Sequence, residues 1–191
     1  MGPKNILITG LPGSGKTTLV EKIISQLDVS TAGFITREIR QQGNRVGFSI
    51  DTLDGQNGVL AHVDLKSRFR VGRYGVRIET IDRIAVPSLK TSKADVLIVI
   101  DEIGKMECLS AVFRKTIMDV LDSANSVLAT IAMKGDSFIQ GLKSRKDVMV
   151  IELNQANRNI VISSLLSSIH ESIPGKGHRE TPDRVLQKAI I

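Results

Sequence analysis

Short apolar runs alternate with segments of helical spacing along much of the chain. Residues 5–9 and 96–100 form runs rich in β-branched side chains, which are typical of strands. Between residues 17 and 27, apolar side chains recur at the spacing of one helix face. The same criteria predict helices over 109–121, 137–142 and 157–169, and strands over 127–131 and 148–153. Strands that alternate with helices indicate an α/β fold with a mainly parallel sheet and helices on both faces.

The segment between the first helix and residue 96 has a different pattern. Apolar and polar residues nearly alternate over 33–53, and a turn sequence at 41–44 interrupts them, which predicts a β-hairpin. Further short strands are predicted around 59–63 and 69–78, followed by a helix over 80–89. The sequence therefore predicts an antiparallel β-hairpin insertion, residues 33–78, within the α/β domain.

The chain has the size of one domain, with 191 residues and 20.8 kDa. Apolar periodicity is lost after Pro174, so we expect a domain over residues 1–171 and a mobile C-terminal tail over 172–191. No apolar run approaches the length that crosses a bilayer. Cys108 is the only cysteine, which excludes an internal disulfide and favours a reducing cytoplasm. We expect a cytoplasmic monomer that does not bind membranes.

The turn after the first predicted strand is rich in glycine. It has the sequence Gly10-Leu11-Pro12-Gly13-Ser14-Gly15-Lys16-Thr17, followed by Thr18. This matches the Walker A motif, or P-loop, in which backbone N–H groups and a helix N-terminus surround the phosphates of a nucleotide. Lys16 is predicted to reach the β- and γ-phosphates, and the Thr17 hydroxyl to bind Mg²⁺. The alternative is an ordinary glycine-rich turn.

Two adjacent carboxylates end the apolar run at residues 96–100. Asp101 and Glu102 thereby occupy the position of a Walker B motif, at the carboxyl end of a parallel strand where ligands bind. Asp101 is predicted to hold Mg²⁺, and Glu102 to orient the attacking water or accept its proton. The alternative is a solvated carboxylate pair or a helix cap.

The following loop has polar residues that could reach the same nucleotide. Gly104, Lys105 and Glu107 are predicted to line it, with Lys105 near the γ-phosphate and Glu107 near the metal or Lys105. A surface ion pair between Lys105 and Glu107 is the alternative.

Two further positions are predicted at the nucleotide. Arg145, just before the strand at 148–153, is predicted to act as an arginine finger that neutralises charge on the transferred phosphoryl group. The alternative is a solvated basic run. Asn157 and Arg158, at the start of the last helix, are predicted to contact the base, with helix capping by Asn157 as the alternative.

Positive charge is concentrated in one internal segment. Residues 33–93 contain 11 basic and 6 acidic side chains, a net charge of +5 within a total of +6. Such a segment can bind nucleic acid, but a single tyrosine and no tryptophan leave few aromatic rings for base stacking. A solvated face that attracts a triphosphate is the favoured interpretation, and nucleic acid stays an alternative partner.

Several segments together resemble the thermophilic-type, or cancer-related, nucleoside triphosphatase family. The matching segments are residues 10–17, 33–40, 45–48, 101–107, 145–147 and 157–159. The resemblance implies a P-loop α/β domain that hydrolyses ATP, GTP and other nucleoside triphosphates to the diphosphate and phosphate. It also implies Mg²⁺ as cofactor and broad tolerance of the base.

Three functions fit the residues. The favoured one is attack of water on the γ-phosphate, positioned by Glu102 and stabilised by Lys16, Mg²⁺ and the loop amides. The second is a kinase that transfers the γ-phosphate to a small molecule, a nucleotide or an RNA end, since fold alone does not decide function. The third is a nucleotide-controlled binding module that uses residues 33–93.

Overall fold

The computed structural model describes residues 4–93 and 95–172, with side chains up to Ile169. The strands are β1 (Asn5–Thr9), β2 (Ser30–Gln41), β3 (Asn44–Thr52), β4 (Asn57–His62), β5 (Arg70–Val71), β6 (Tyr74–Val76), β7 (Val96–Ile103), β8 (Val127–Ile131) and β9 (Val148–Glu152). The helices are α1 (Lys16–Gln26), α2 (Ile78–Thr80), α3 (Val86–Ser88), α4 (Ala111–Asp122), α5 (Ser137–Lys143) and α6 (Arg158–Ser172). A π-helical turn, Ile81–Ala85, joins α2 to α3, and a 3-10 turn, Glu107–Leu109, follows β7.

All nine of these strands form one sheet, in the order β5-β6-β4-β3-β2-β7-β8-β1-β9. The five strands from β2 to β9 in this order are parallel, and the pairs from β2 outward to β5 are antiparallel. The predicted α/β fold with its antiparallel hairpin is confirmed. The tail predicted from residue 172 lies, from residue 173 onward, outside the described residues.

The predicted insertion is continuous with the parallel sheet because β2 belongs to both parts. Ser30 to Ile35 pair in parallel with β7, and β2 then continues as far as Gln41 with β3 as its only partner. At Gly33, φ is 116° and a Cβ would lie 1.9 Å from the Val99 carbonyl oxygen, so only glycine lets these two strands approach. The hairpin therefore projects beyond the carboxyl edge of the parallel strands.

The strand β7 is buried on both faces, as its unbroken apolar sequence predicts. Leu97 and Val99 pack in a cluster with α1 and α6, whereas Ile98 and Ile100 pack in a second cluster with α4 and the 78–88 segment. This alternation follows from the two-residue period of a strand. Helices thus cover both faces of β7, and in sheets of this kind ligands bind at the carboxyl ends of the strands.

Side-chain caps fix where two helices on one face begin. Ser110 Oγ accepts a hydrogen bond from the Phe113 N–H at 3.0 Å at the start of α4. Asp136 Oδ1 accepts one from the Ile139 N–H at 3.2 Å at the start of α5. Such caps contribute about 1 kcal/mol each. In the described part of the chain, none of the helices has the length and apolar character needed to span a bilayer.

Candidate active site

The carboxyl ends of β1, β8 and β7 lie side by side at one edge of the sheet. On β8, Thr130 pairs with Ile8 of β1, and the preceding Ala129 pairs with Ile100 of β7. The strands β1 and β7 are therefore about 10 Å apart in the sheet, two strand spacings. Thr130 lies between them.

The glycine-rich loop connects β1 to α1 as predicted. The Ser14 N–H donates to the Leu11 carbonyl at 3.1 Å, and the Gly15 carbonyl accepts from the Leu19 N–H at 2.9 Å. Lys16 Nζ folds back over this turn and lies 3.3 Å from the Gly10 carbonyl oxygen. The structure thus brings residues 10–18 together at the carboxyl edge, with residues 11–13 exposed to solvent.

Arg158 packs against this loop from the start of α6. Its Nη2 donates to the Ser14 carbonyl at 2.6 Å. A Cβ at Gly15 would lie 2.5 Å from the same nitrogen, and φ of Gly15 is 88°, a conformation that favours glycine. The interaction that the structure shows for Arg158 is therefore with the loop backbone, and contact with a base stays a prediction.

Asn157 stabilises the turn before α6. Its Nδ2 donates to the Glu152 carbonyl at 2.8 Å, and its Oδ1 accepts from the Asn154 N–H at 2.9 Å. The described hydrogen bonds of this amide thus go to the turn, while the Asn157 carbonyl accepts from the Val161 N–H at 2.9 Å at the start of α6. Its contact with a base also stays a prediction.

Asp101 is buried between two hydroxyl groups. Its Oδ2 accepts from Thr17 Oγ1 at 2.7 Å and its Oδ1 from Thr130 Oγ1 at 2.6 Å, while only 2% of the residue is exposed. Burial raises the pKa of Asp101, and the two hydroxyls and Lys16 partly oppose this. The Thr17 hydroxyl and the Asp101 carboxylate offer oxygen atoms to a hard divalent cation, and such oxygen donors suit Mg²⁺.

Glu102 is only partly buried and follows Asp101 at the sheet edge. Burial raises its pKa, Lys16 opposes this shift, and the Asp101 carboxylate adds to it. A Cβ at Gly104 would lie 2.9 Å from Glu102 Oε1 and 2.8 Å from Glu107 Oε2, so both acids converge on that glycine. A carboxyl group with a raised pKa at the sheet edge is suited to accept a proton.

Glu107 points inward and contacts the loop backbone. Its Oε2 accepts from the Gly104 N–H at 3.1 Å, and 4% of the residue is exposed. Burial, and then the neighbouring Glu102, raise the pKa of Glu107 to about 8. Lys105 is exposed, and no described ion pair joins it to Glu107, so the surface ion pair expected as an alternative is absent there.

Arg145 lies at the opposite, amino edge of the sheet. It precedes β9, which starts beside Asn5, the first residue of β1. Its Nε donates to Asp147 Oδ1 at 2.9 Å, and its Nη2 to Asp122 Oδ1 at 2.5 Å. The five residues of β1, about 16 Å of extended chain, separate this cluster from the phosphate-binding loop. The prediction of an arginine finger at Arg145 is therefore wrong.

Two residues at the carboxyl edge were not predicted from the sequence. Thr130 is a polar residue inside the apolar run 127–131, and this break in the pattern is the only local signal for it. Lys143, the last residue of α5, donates from Nζ to the Met133 carbonyl at 2.9 Å, at the carboxyl side of β8. Its signal is the helical position four residues after Ile139, on the same helix face.

A family model and two known proteins with similar sequences have names that include the same activity. A family model described as NTPase matches residues 5–166. Nucleoside-triphosphatase THEP1 of Thermotoga sp. (strain RQ2) is 48% identical over 163 residues, which cover 85% of this chain and 93% of that protein. Cancer-related nucleoside-triphosphatase of Homo sapiens is 34% identical over 186 residues, covering 88% of this chain and 98% of that protein.

The fold also matches a solved structure. The crystal structure of THEP1 from the hyperthermophile Aquifex aeolicus superposes with a TM-score of 0.80 and 34% sequence identity. The match covers 86% of this chain and 98% of that one. The resemblance stated from the sequence motifs is thus confirmed independently by sequence and by structure.

Proposed function

The chain belongs to the NTPase family, and we propose that it hydrolyses nucleoside triphosphates with Mg²⁺ at the carboxyl edge of its sheet. The observation that supports this best is the 2.7 Å hydrogen bond between Thr17 and Asp101. It joins the phosphate-binding loop to the acidic end of β7. In P-loop enzymes, a hydroxyl and a carboxylate placed in this way both hold the metal of a bound nucleotide.

Phosphate binding is assigned to the loop and to Lys16. The N–H groups at the start of α1 and the partial positive charge of the helix N-terminus attract the phosphates. The described hydrogen bonds of Lys16 Nζ go to neutral carbonyl oxygens, those of Gly10 and Leu11. A triphosphate provides a stronger acceptor for this ammonium group, which then reaches the β- and γ-phosphates.

Thr17 and Asp101 are assigned to the metal, with Thr130 holding the second oxygen of Asp101. When bound, Mg²⁺ neutralises the charge that develops on the phosphate oxygens. Because Asp101 is buried and bonded on both oxygens, its carboxylate is already oriented before nucleotide arrives. This preorganisation favours binding of the metal, since a site that must reorient its ligand groups loses part of the binding energy.

Glu102 is assigned to the attacking water. The water oxygen bonds to the γ-phosphorus as the bond from that phosphorus to the β,γ-bridging oxygen breaks, and the water proton passes to Glu102. Burial and Asp101 raise the pKa of this carboxyl group, which increases its affinity for the proton. The products are the diphosphate and inorganic phosphate.

Broad tolerance of the base is part of the proposal. The side-chain hydrogen bonds described for residues 10–18 go to loop carbonyl oxygens and to the Asp101 carboxylate. No described contact there involves an aromatic side chain. We therefore expect the phosphates to supply most of the binding energy.

Phosphate release from ATP, GTP, CTP and UTP with Mg²⁺ tests this function, for the wild type and for Lys16→Ala and Glu102→Gln. We expect release from all four nucleotides, within about tenfold of one another, and a loss of about 100-fold or more in both variants. Glu102→Gln should still bind nucleotide. Release that depends on an added hydroxyl acceptor would favour a kinase instead, and binding without release would favour a nucleotide-controlled binding module.

A further inference from the structure

The side chain of Lys143, the last residue of α5, reaches the carboxyl edge of the sheet. The helix α5 starts after β8, and its last residue is Lys143. Side chains on a helix lean toward its N-terminus, so the lysine extends back along α5. Its Nζ donates to the Met133 carbonyl at 2.9 Å and lies 3.5 Å from Thr9 Oγ1. Both partners lie at the carboxyl ends of strands.

The described hydrogen-bond partners of Lys143 carry no charge. Met133 and Thr9 offer neutral oxygen atoms, and none of the described ion pairs includes Lys143. An ammonium group has three N–H donors, so at least one is free for a ligand. Burial lowers the pKa of Lys143, and Glu152 partly opposes this shift. A bound anion would stabilise the charged form of such a partly buried lysine.

The position of Lys143 indicates which anion it would bind. Thr9 precedes Gly10 directly, and the Gly10 carbonyl oxygen is the group that Lys16 Nζ contacts. Two ammonium groups thus approach consecutive residues at the entrance of the phosphate-binding loop, one from α1 and one from α5 on the opposite face of the sheet. The other basic residues on the same segment do not do so, because Lys146 is exposed and Arg145 is paired at the amino edge.

We propose that Lys143 donates a hydrogen bond to the terminal phosphate of the bound triphosphate and stabilises the charge that develops there during hydrolysis. This inference rests on the proposed hydrolysis at the same site. It assigns to a lysine the function that the sequence had suggested for Arg145. A cation that contacts the transferred group acts mainly in the transition state, so its loss lowers kcat more than it raises KM.

The test compares Lys143→Met and Lys143→Arg with Lys146→Met, a matched loss of an exposed lysine three residues away. With Mg²⁺ and ATP, we expect Lys143→Met to lower kcat by about 100-fold with less than about threefold change in KM. Lys143→Arg should restore kcat to within about tenfold of the wild type, and Lys146→Met should match the wild type. Thermal unfolding of each variant checks that it is folded, and Lys143→Gln replaces Lys143→Met if that variant is not.

A folded Lys143→Met variant with wild-type kcat would overturn the inference, as would an equal loss in Lys146→Met. If the wild type itself releases no phosphate, the proposed function is contradicted, and a second measurement is needed to test the role of Lys143. The dissociation constants of a non-hydrolysable ATP analogue and of ADP are then compared by calorimetry. Lys143→Met should lose at least about threefold of the wild-type preference for the triphosphate, and an unchanged preference would overturn the inference.

Discussion

The hydroxyl of Thr130 and the Oδ1 atom of Asp101 are 2.6 Å apart, and neither side chain is accessible to solvent beyond a few per cent. The bond links β8 to β7 at the point where the phosphate-binding loop of β1 also arrives. Because Thr17 binds the other oxygen of Asp101, the carboxylate cannot rotate without losing a buried hydrogen bond. The orientation of the Asp101 carboxylate, the proposed metal ligand, is therefore set by hydrogen bonds from β8 and from the start of α1.

Replacing Thr130 with Val removes this hydroxyl and keeps the shape of the side chain. Asp101 Oδ1 would be left as a buried acceptor, so we expect a loss of about 1–3 kcal/mol in the free energy of unfolding, measured with urea. The Mg²⁺ concentration for half-maximal phosphate release should rise several-fold. Thr130→Ser, which keeps the hydroxyl, is the control, and an equal rise in both variants would show that the hydrogen bond is not responsible.

Gly15→Ala should weaken nucleotide binding through Arg158. The new Cβ would lie 2.5 Å from Arg158 Nη2, and φ at this position is 88°. We expect the dissociation constant for ATP to rise at least about tenfold. Gly55→Ala introduces comparable backbone strain in open space, with φ of 92° and no atom within 4 Å, and should leave binding unchanged.

A double variant separates contact from strain at this position. If the clash displaces the loop, Gly15→Ala combined with Arg158→Ala should cost less binding energy than the sum of the two single changes. Additive losses would mean that the strained backbone at Gly15, and not the contact with Arg158, accounts for the effect.

Arg145→Met tests whether Arg145 contributes to stability and not to turnover. The Arg145 side chain is 19% exposed and pairs with Asp122 and Asp147, so its loss should lower the free energy of unfolding by about 1 kcal/mol. Because this cluster lies at the amino edge, kcat per folded molecule should equal that of the wild type. A large fall in kcat in the folded variant would mean that the segment moves to the nucleotide during turnover.

The order of elements could be predicted because it depends on local patterns. The apolar run at 96–100 is buried on both faces, and the glycine-rich loop lies between a strand and a helix. The predicted role of Arg145 conflicts with its place before a parallel strand, since such residues lie at the amino edge, away from ligands. The sequence does not give the strand order, and without that order nothing places Thr130 between β1 and β7.

The direction of individual side chains was the hardest feature to predict. Glu107 follows Lys105 by two residues, and spacing alone allowed an ion pair on the surface. In the structure, a short turn after β7 carries Glu107 inward against the Gly104 N–H. Lys143 stands close to Arg145 and Lys146 in the sequence, and its direction depends on the axis of α5 relative to the sheet, which the sequence does not give.

Glu107 makes stability depend on pH in a predictable direction. Its pKa is raised from 4.5 to about 8 in the folded protein, so the folded state keeps a proton that the unfolded state releases. The contribution of this group to stability is therefore complete below about pH 4.5 and is lost as pH rises toward 8. The pKa values of Asp101 and Glu102 are also raised, so both residues contribute to the pH dependence of every variant that retains them.

Glu107→Gln removes this titration and keeps an oxygen for the Gly104 N–H. Without nucleotide and metal, urea unfolding between pH 5.5 and 8 should give a flatter pH dependence than the wild type, by up to about 1.4 kcal/mol per pH unit. Glu79→Gln, at an exposed position, should reproduce the wild-type slope. If Glu107→Gln keeps that slope as well, Glu107 is ionised in the folded protein at neutral pH, and the Gly104 N–H must stabilise its buried carboxylate more than burial destabilises it.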